Sequence, residues 1–167
     1  MSKKHLCAMA GFDPETSARL KALETLLCEH GFSGHQTKNI PMHFTLGVFD
    51  PSDEAAVLDT IKRAAVEIKP FNVVFRHLGV FGGSRVLFVC PDPCEELLKL
   101  KNAVKPETFW SPHATILIDE PERIYQALPI AAKAIDGGAF PEPMGTVTEI
   151  HLYEFQPPRH IATVKLG

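Results

Sequence analysis

Two short stretches of this 167-residue chain carry the same pattern of chemistry-bearing side chains. His43-Phe44-Thr45-Leu46 and His113-Ala114-Thr115-Ile116 are each His-x-Thr-apolar, with Pro41 shortly before the first and Pro112 directly before the second. Composition alone gives about 0.2 such matches per chain, so two by accident is roughly a 2% event. A single histidine or threonine in a strand is ordinarily structural; it is the repetition in matching contexts that carries the argument. An imidazole titrates near neutral pH, so one neutral ring can take a proton from water or a hydroxyl while a second, protonated ring gives one to a leaving oxygen. Threonine hydroxyls can donate to the non-bridging oxygens of a phosphate held between the rings. Two histidines and two threonines therefore suit phosphoester chemistry, and a pair of proton carriers needs no metal.

Strand geometry would put each pair on one face, because residues two apart share a side. His43, Thr45 and Gly47 should then point away from a core filled by Met42, Phe44, Leu46 and Val48, with Gly47 leaving open space beside the first pair. On the second strand Ala114, Ile116 and Ile118 should point inward, leaving His113 and Thr115 on the opposite face.

The elements that would position these motifs follow from punctuation and periodicity. A strand is expected at 5–10. Asp13-Pro14-Glu15 reads as N-cap, N1 proline and early acid of a helix that Gly31 stops. A strand at 40–49 carries the first motif. Asp50-Pro51-Ser52-Asp53-Glu54 caps a helix running to about Lys69, with Ala56, Val57, Ile61, Ala64, Ala65 and Ile68 on its apolar stripe. Strands near 71–81 and 85–90 are joined by the turn Gly82-Gly83-Ser84. A helix near 93–104, a strand at 112–118 with the second motif, and a helix from Pro121 to about Ile135, ended by Gly137-Gly138, come next. Strands near 146–156 and 160–166 complete the order. Both halves read strand, helix, strand, helix, strand with one extra strand each, and no Ser/Gly-rich linker divides them. The expected class is α+β: one domain over 1–167, bilobal and pseudo-duplicated, with two mostly antiparallel sheets facing across a central groove and helices outside.

Composition narrows the function. The chain is 45% hydrophobic with Lys+Arg 17 against Asp+Glu 20, a formal net charge of −3. A protein living on bulk attraction to a phosphate backbone would be basic, so any nucleic-acid contact should be small, such as an RNA end or a nucleotide. Apolar runs fall far short of the ~20 residues that span a bilayer. Met1-Ser2-Lys3-Lys4 and the short apolar segment after it read as the start of a first strand. A cytoplasmic protein without membrane contact is expected. Cys7, Cys28, Cys90 and Cys94 lack the spacing of a disulfide scaffold or a zinc site and read as free thiols. His5, His30, His35, His77, His151 and His160 show no comparable pairing and read as surface or satisfied residues.

The two motifs, one per half of an apparently duplicated α+β chain, resemble the two-histidine (2H) phosphoesterase superfamily, and in particular its 2′-5′ RNA ligase-like branch. Leu78-Gly79-Val80-Phe81 followed by Val86-Leu87-Phe88-Val89 adds a weaker likeness. The resemblance implies a groove on a pseudo-twofold axis, His43 and His113 as the acid/base pair, Thr45 and Thr115 as phosphate-binding hydroxyls, and action on 2′,3′-cyclic phosphates with no metal or other cofactor. It also implies relatives that cleave other cyclic phosphodiesters or join RNA ends reversibly. RNA-processing relatives often carry basic residues after the second motif, whereas Asp119-Glu120-Pro121-Glu122 stands here. With the net charge, that favours a nucleotide, a short RNA end or another small phosphodiester as partner, handled by a monomer.

Further contacts are expected from Phe81 and Trp110, whose rings could stack a base, and from Tyr153 and Arg159 at the end and turn of the last hairpin. The rival readings are a catalytically inactive nucleotide- or RNA-end-binding module of the same fold and, last, a metalloprotein using His43, His113 and a cysteine.

Overall fold

The computed structural model describes residues 3–83, 85–136 and 144–167. The elements run β1 (His5–Phe12), α1 (Pro14–Glu29), β2 (His43–Phe49), a 3-10 turn at Pro51–Asp53, α2 (Glu54–Glu67), β3 (Phe71–Val80), β4 (Val86–Pro91), α3 (Glu95–Val104), β5 (Ala114–Ile118), α4 (Pro121–Ala134), β6 (Met144–Phe155) and β7 (Arg159–Lys165). This is the expected order. Ser84 and Gly137-Gly138 lie outside the described residues.

Local chemistry sets the ends. The Asp13 carboxylate accepts from the Thr16 backbone N–H at 2.8 Å and from the Thr16 hydroxyl at 2.8 Å, satisfying an orphan donor at the start of α1. Gly31, at φ +87°, takes the left-handed turn beyond the helix end. Both motif strands start later than their apolar runs suggest, at His43 and Ala114. Proline has no N–H to give to a ladder, so neither Pro41 nor Pro112 joins its strand.

The strands form one seven-stranded antiparallel sheet in the order β2-β1-β6-β3-β4-β5, with β7 also on β6. The two halves are thus joined through shared pairing and are not separately hydrogen-bonded sheets. Phe71–Val74 of β3 pair with Val147–Met144 of β6. From Phe75 onward β3 pairs with β4 instead, with a register shift between Phe75 and His77. The β6 edge that β3 leaves is taken over by β7, from Glu149↔Lys165 to Glu154↔Arg159. A bulge bends its strand and adds twist, so the shift in β3 marks where the sheet forks.

Helices pack on the face made by Leu6, Ala8, Ala10 and Phe12 of β1, Phe44 and Leu46 of β2, and Ile150 and Leu152 of β6. These residues share one buried cluster with Leu20, Leu23 and Leu27 of α1, Ile61 of α2, Leu97 and Leu100 of α3 and Ile124 of α4. Burying a leucine or phenylalanine side chain contributes roughly 1.5–3 kcal/mol, so this cluster sets which way each strand faces. Alternation then turns Cys7, Met9 and Gly11 to the other face. Cross-strand pairing puts Thr45 and His151 beside Met9, and His43 and Glu149 beside Gly11. Among the described residues, no helix is long and apolar enough to cross a membrane.

Candidate functional site

β2 and β5, at opposite ends of the strand order, approach each other in space. The segment leading into the second motif is strapped onto the first motif's strand. Trp110 donates its indole N–H to the Thr45 carbonyl at 2.9 Å, and Lys105 Nζ donates to the Val48 carbonyl at 2.7 Å. Lys101 is 2% exposed; its ammonium donates to the Lys105 carbonyl and pairs with Glu107 at 2.8 Å. A buried ammonium is tolerated only when paired and hydrogen-bonded, and here its partners fix the loop that delivers His113.

Both motif histidines are held in the same way. His43 Nδ1 lies 2.7 Å from the Pro41 carbonyl, and His113 Nδ1 lies 2.8 Å from the Ser111 carbonyl. A carbonyl oxygen can only accept, so Nδ1 carries the hydrogen in each ring. That leaves Nε2 of each as the atom that takes a proton when the ring is neutral and gives one when it is charged. Burial pushes the His43 pKa down to about 4; the Pro41 carbonyl opposes this, and the nearby His151 and His113 rings add to it. At neutral pH His43 is therefore an unprotonated base.

The surroundings of the two rings differ. His113 meets Phe81 edge-on, with centroids 4.8 Å apart, and Phe88 at 5.3 Å. Phe88 lies against Gly79, where a Cβ would come within 2.6 Å of the ring, which explains the glycine in Leu78-Gly79-Val80-Phe81. On the other side the ring over a glycine is His151: a Cβ on Gly11 would lie 2.8 Å from its Cδ2. His151 Nε2 is 3.3 Å from Glu149, and its Nδ1 is 2.9 Å from the Thr163 hydroxyl. Burial lowers the His151 pKa, against the opposing pull of Glu149. A neutral ring that donates from Nε2 to a carboxylate must accept at Nδ1 from Thr163. Thr163 in turn accepts from His160 Nε2 at 2.9 Å.

His151, expected as a surface or satisfied residue, is satisfied by Glu149 and Thr163; its nearness to His43 is what the sequence does not show. Its position beside His43 depends on β6 lying next to β1, a long-range pairing. The one signal available in the sequence is its two-residue spacing from Tyr153.

Thr45 accepts a long contact of 3.9 Å from the Cys7 thiol, whose pKa burial raises to about 11. The thiol therefore keeps its proton, and the Thr45 hydrogen is left to point elsewhere. Thr115 sits opposite Phe88. His43 and Thr115 share the wall of a cavity of about 590 Å³ with Lys38, Ile40, Met42 and Ile118. Among the described residues, no group of three or more His, Cys, Asp or Glu side chains is placed to hold a metal.

Several expected placements change. Gly47 has no open space beside it: a Cβ there would meet the Lys105 side chain at 2.9 Å. Val48 is 46% exposed instead of core, and Ile118 lines the cavity. A register shift explains all three. β1 and β2 pair as Ala8↔Gly47 then Met9↔Thr45, skipping Leu46, and β4 and β5 pair as Leu87↔Leu117 then Phe88↔Thr115, skipping Ile116. One extra residue inverts the alternation beyond it.

Arg159 is not brought to the cavity, because its guanidinium is held by Glu54 at 2.6 Å and Glu154 at 2.8 Å. Trp110 is half-buried, with its N–H engaged at Thr45 and Lys101 Nζ 5.7 Å from its ring centre. Tyr153 lies on the face of His151, one pairing row further from His43, across from Cys7. Of these four, Phe81 packs against the His113 ring and Trp110 bonds the Thr45 carbonyl.

A family model described as the 2′-5′ RNA ligase superfamily matches residues 12–158. Among solved structures, apo LigT of E. coli aligns with TM-score 0.64 at 18% identity, covering 97% of this chain and 96% of that one. LigT complexed with 3′-AMP aligns with TM-score 0.64 at 19% identity, covering 98% and 97%. TT0787 of Thermus thermophilus aligns with TM-score 0.64 at 17% identity, covering 97% of each chain. These likenesses show a shared fold. No curated protein matches the chain.

Proposed function

Since this chain belongs to the 2′-5′ RNA ligase superfamily, the 2H phosphoesterases, we propose that it is a metal-independent phosphodiesterase acting on 2′,3′-cyclic phosphates at RNA ends, on nucleotides or on related small phosphodiesters. Both halves of the chain serve one site, with His43, Thr45, His113 and Thr115 as its working residues. The observation that carries this reading is the matched pinning of two imidazoles, each with Nδ1 on the carbonyl two residues earlier and Nε2 left to work.

In the hydrolytic direction, water attacks phosphorus in line with one ring P–O bond. His43 Nε2, unprotonated because burial holds its pKa at about 4, accepts the proton of that water. The P–O bond to the ribose breaks, and His113 Nε2–H gives its proton to the departing oxygen. Thr45 and Thr115 donate to the non-bridging oxygens, whose charge grows in the transition state. A 5′-hydroxyl attacking the cyclic phosphate in place of water uses the same roles: His43 takes its proton, the P–O3′ bond breaks with His113 protonating the 3′ oxygen, and a 2′-5′ linkage forms without an energy source. The histidines exchange roles only when the 3′-hydroxyl attacks that linkage and expels the 5′ oxygen. LigT has been crystallised with 3′-AMP and with phosphate, which supports a small phosphorylated ligand for this chain.

The test is an oligonucleotide ending in a 2′,3′-cyclic phosphate, with the product resolved into 2′- and 3′-phosphate. A single isomer is expected. Binding of such ends without turnover of this or any small cyclic phosphodiester would favour an inactive end-binding module instead.

A further inference from the structure

The cavity that His43 and Thr115 share is larger than a cyclic phosphate needs. At about 590 Å³ it lies within the roughly 300–1,000 Å³ of sites that enclose whole small-molecule ligands. It runs from the two motif strands along the segment 33–42 to the α1 residues Lys21, Glu24 and Cys28. Its wall is mixed: Ile40, Met42 and Ile118 are apolar, and Thr37 and Asn39 are uncharged polar groups.

The charges on this wall are unequal. Lys21 is neutralised by Glu24 at 2.6 Å, and Glu24 also accepts from Gln36 at 3.2 Å. Lys38 has no carboxylate partner among the described residues. It sits in a tight turn with Asn39, which adopts φ 62°. That left-handed conformation is uncommon outside glycine, and asparagine is among the few residues that tolerate it. An unpaired ammonium at the wall of a cavity, on a chain of net charge −3, is a place for an anion. Lys38 is five residues from His43, so their Cα atoms are at most about 17 Å apart.

We infer that Lys38 and the cavity behind it form a subsite for a second phosphate, carried on the 5′ oxygen of the nucleoside whose 2′,3′ end lies between the motif histidines. This rests on the phosphodiesterase reading above. It adds a preference: the substrate is a nucleotide with a phosphate at both ends of its ribose, as a 5′-monophosphate or as the internucleotide linkage of a short RNA end.

Calorimetric titration separates this from the catalytic reading. Adenosine 3′,5′-bisphosphate should bind the wild type about tenfold more tightly than adenosine 3′-monophosphate, a difference of roughly 1.4 kcal/mol. In Lys38→Gln the two should bind within twofold of each other. Lys62→Gln, which removes an exposed lysine of α2, should keep the wild-type preference. Equal affinities in the wild type, an advantage that survives in Lys38→Gln, or no binding of either ligand would each overturn the subsite. Turnover of the 5′-phosphorylated cyclic nucleotide and of a dinucleotide ending in a cyclic phosphate, each against the 5′-hydroxyl nucleotide, then identifies which source of phosphate is used. A bisphosphate advantage lost in Lys38→Gln, with no turnover of any cyclic phosphate, would sustain the subsite and defeat the hydrolytic reading. Turnover with equal affinities would do the reverse.

Discussion

Leu46 and Ile116 occupy the same place in the two halves of the molecule: each is the residue that a register shift leaves without a partner across its strand pair. Each follows its motif threonine directly, and both side chains are buried, at 0% and 1% exposure. The bulge therefore accompanies both motifs. It keeps His and Thr on one face while the next two residues, Leu46-Gly47 and Ile116-Leu117, both pack on the helix side. Two consecutive buried residues anchor the strand where the threonine hydroxyl must be held.

The pH dependence follows from His43. Its folded pKa of about 4 lies below the ordinary imidazole value of 6.5, so the unfolded chain binds the extra proton between those limits. The stability this group provides is complete above about pH 6.5 and is lost as pH falls toward 4, by on the order of 3 kcal/mol. Urea unfolding at pH 7 and pH 4.5 should show a smaller loss for His43→Gln than for the wild type. In kinetics, the acidic limb of kcat/KM should fall near pH 4; a limb near 6.5 would mean that His43 is not the base.

The hydroxyls are tested by Thr45→Val and Thr115→Val, which keep the shape and remove the donor. Each should lower kcat by about 10²–10³, as loss of one transition-state donor does, with the circular dichroism spectrum unchanged. A loss of less than threefold in either would remove that threonine from the phosphate-binding role.

Gly11 and Gly79 lie under rings that pack beside the motif histidines. Alanine normally stabilises a glycine position of compatible backbone by about 0.4–1 kcal/mol. Here the added carbon would lie 2.8 Å from His151 Cδ2 or 2.6 Å from Phe88 Cζ. Overpacking should prevail, so Gly11→Ala and Gly79→Ala should each destabilise by about 1–3 kcal/mol. A raised denaturation midpoint would contradict the packing described for these rings.

Lys101 tests the strap that delivers His113. Lys101→Met keeps the volume but takes the ammonium from the Lys105 carbonyl, while the exposed Glu107 keeps its pairing with Lys105 at 3.1 Å. An unsatisfied buried partner costs about 1–3 kcal/mol. Thermal unfolding should show that loss, and the 105–113 segment should become more open to limited proteolysis. Unchanged cleavage would assign Lys101 to packing alone.

What is legible in the sequence is local. Asp13 and Pro14 announce α1 because a cap and its first turn are neighbours in the chain. The two His-x-Thr pairs announce themselves by repetition. The bulges are not legible, since Leu46 and Ile116 look like any core residue until a partner strand skips them, and with the bulges goes the facing of Gly47, Val48 and Ile118. Nor is the place of His151 beside His43, which needs β6 to lie against β1. Arg159 looks free in the sequence because Glu54, one of the carboxylates that hold it, is 105 residues away in the chain.

The most direct measurement is turnover of a short oligonucleotide ending in a 2′,3′-cyclic phosphate, in excess EDTA, by the wild type and by His113→Ala. Two-histidine acid/base catalysis predicts turnover in the wild type, unaffected by the chelator, and a fall of several orders of magnitude in a folded variant. Near-normal turnover by His113→Ala, or wild-type activity abolished by EDTA and restored by added metal, would contradict it.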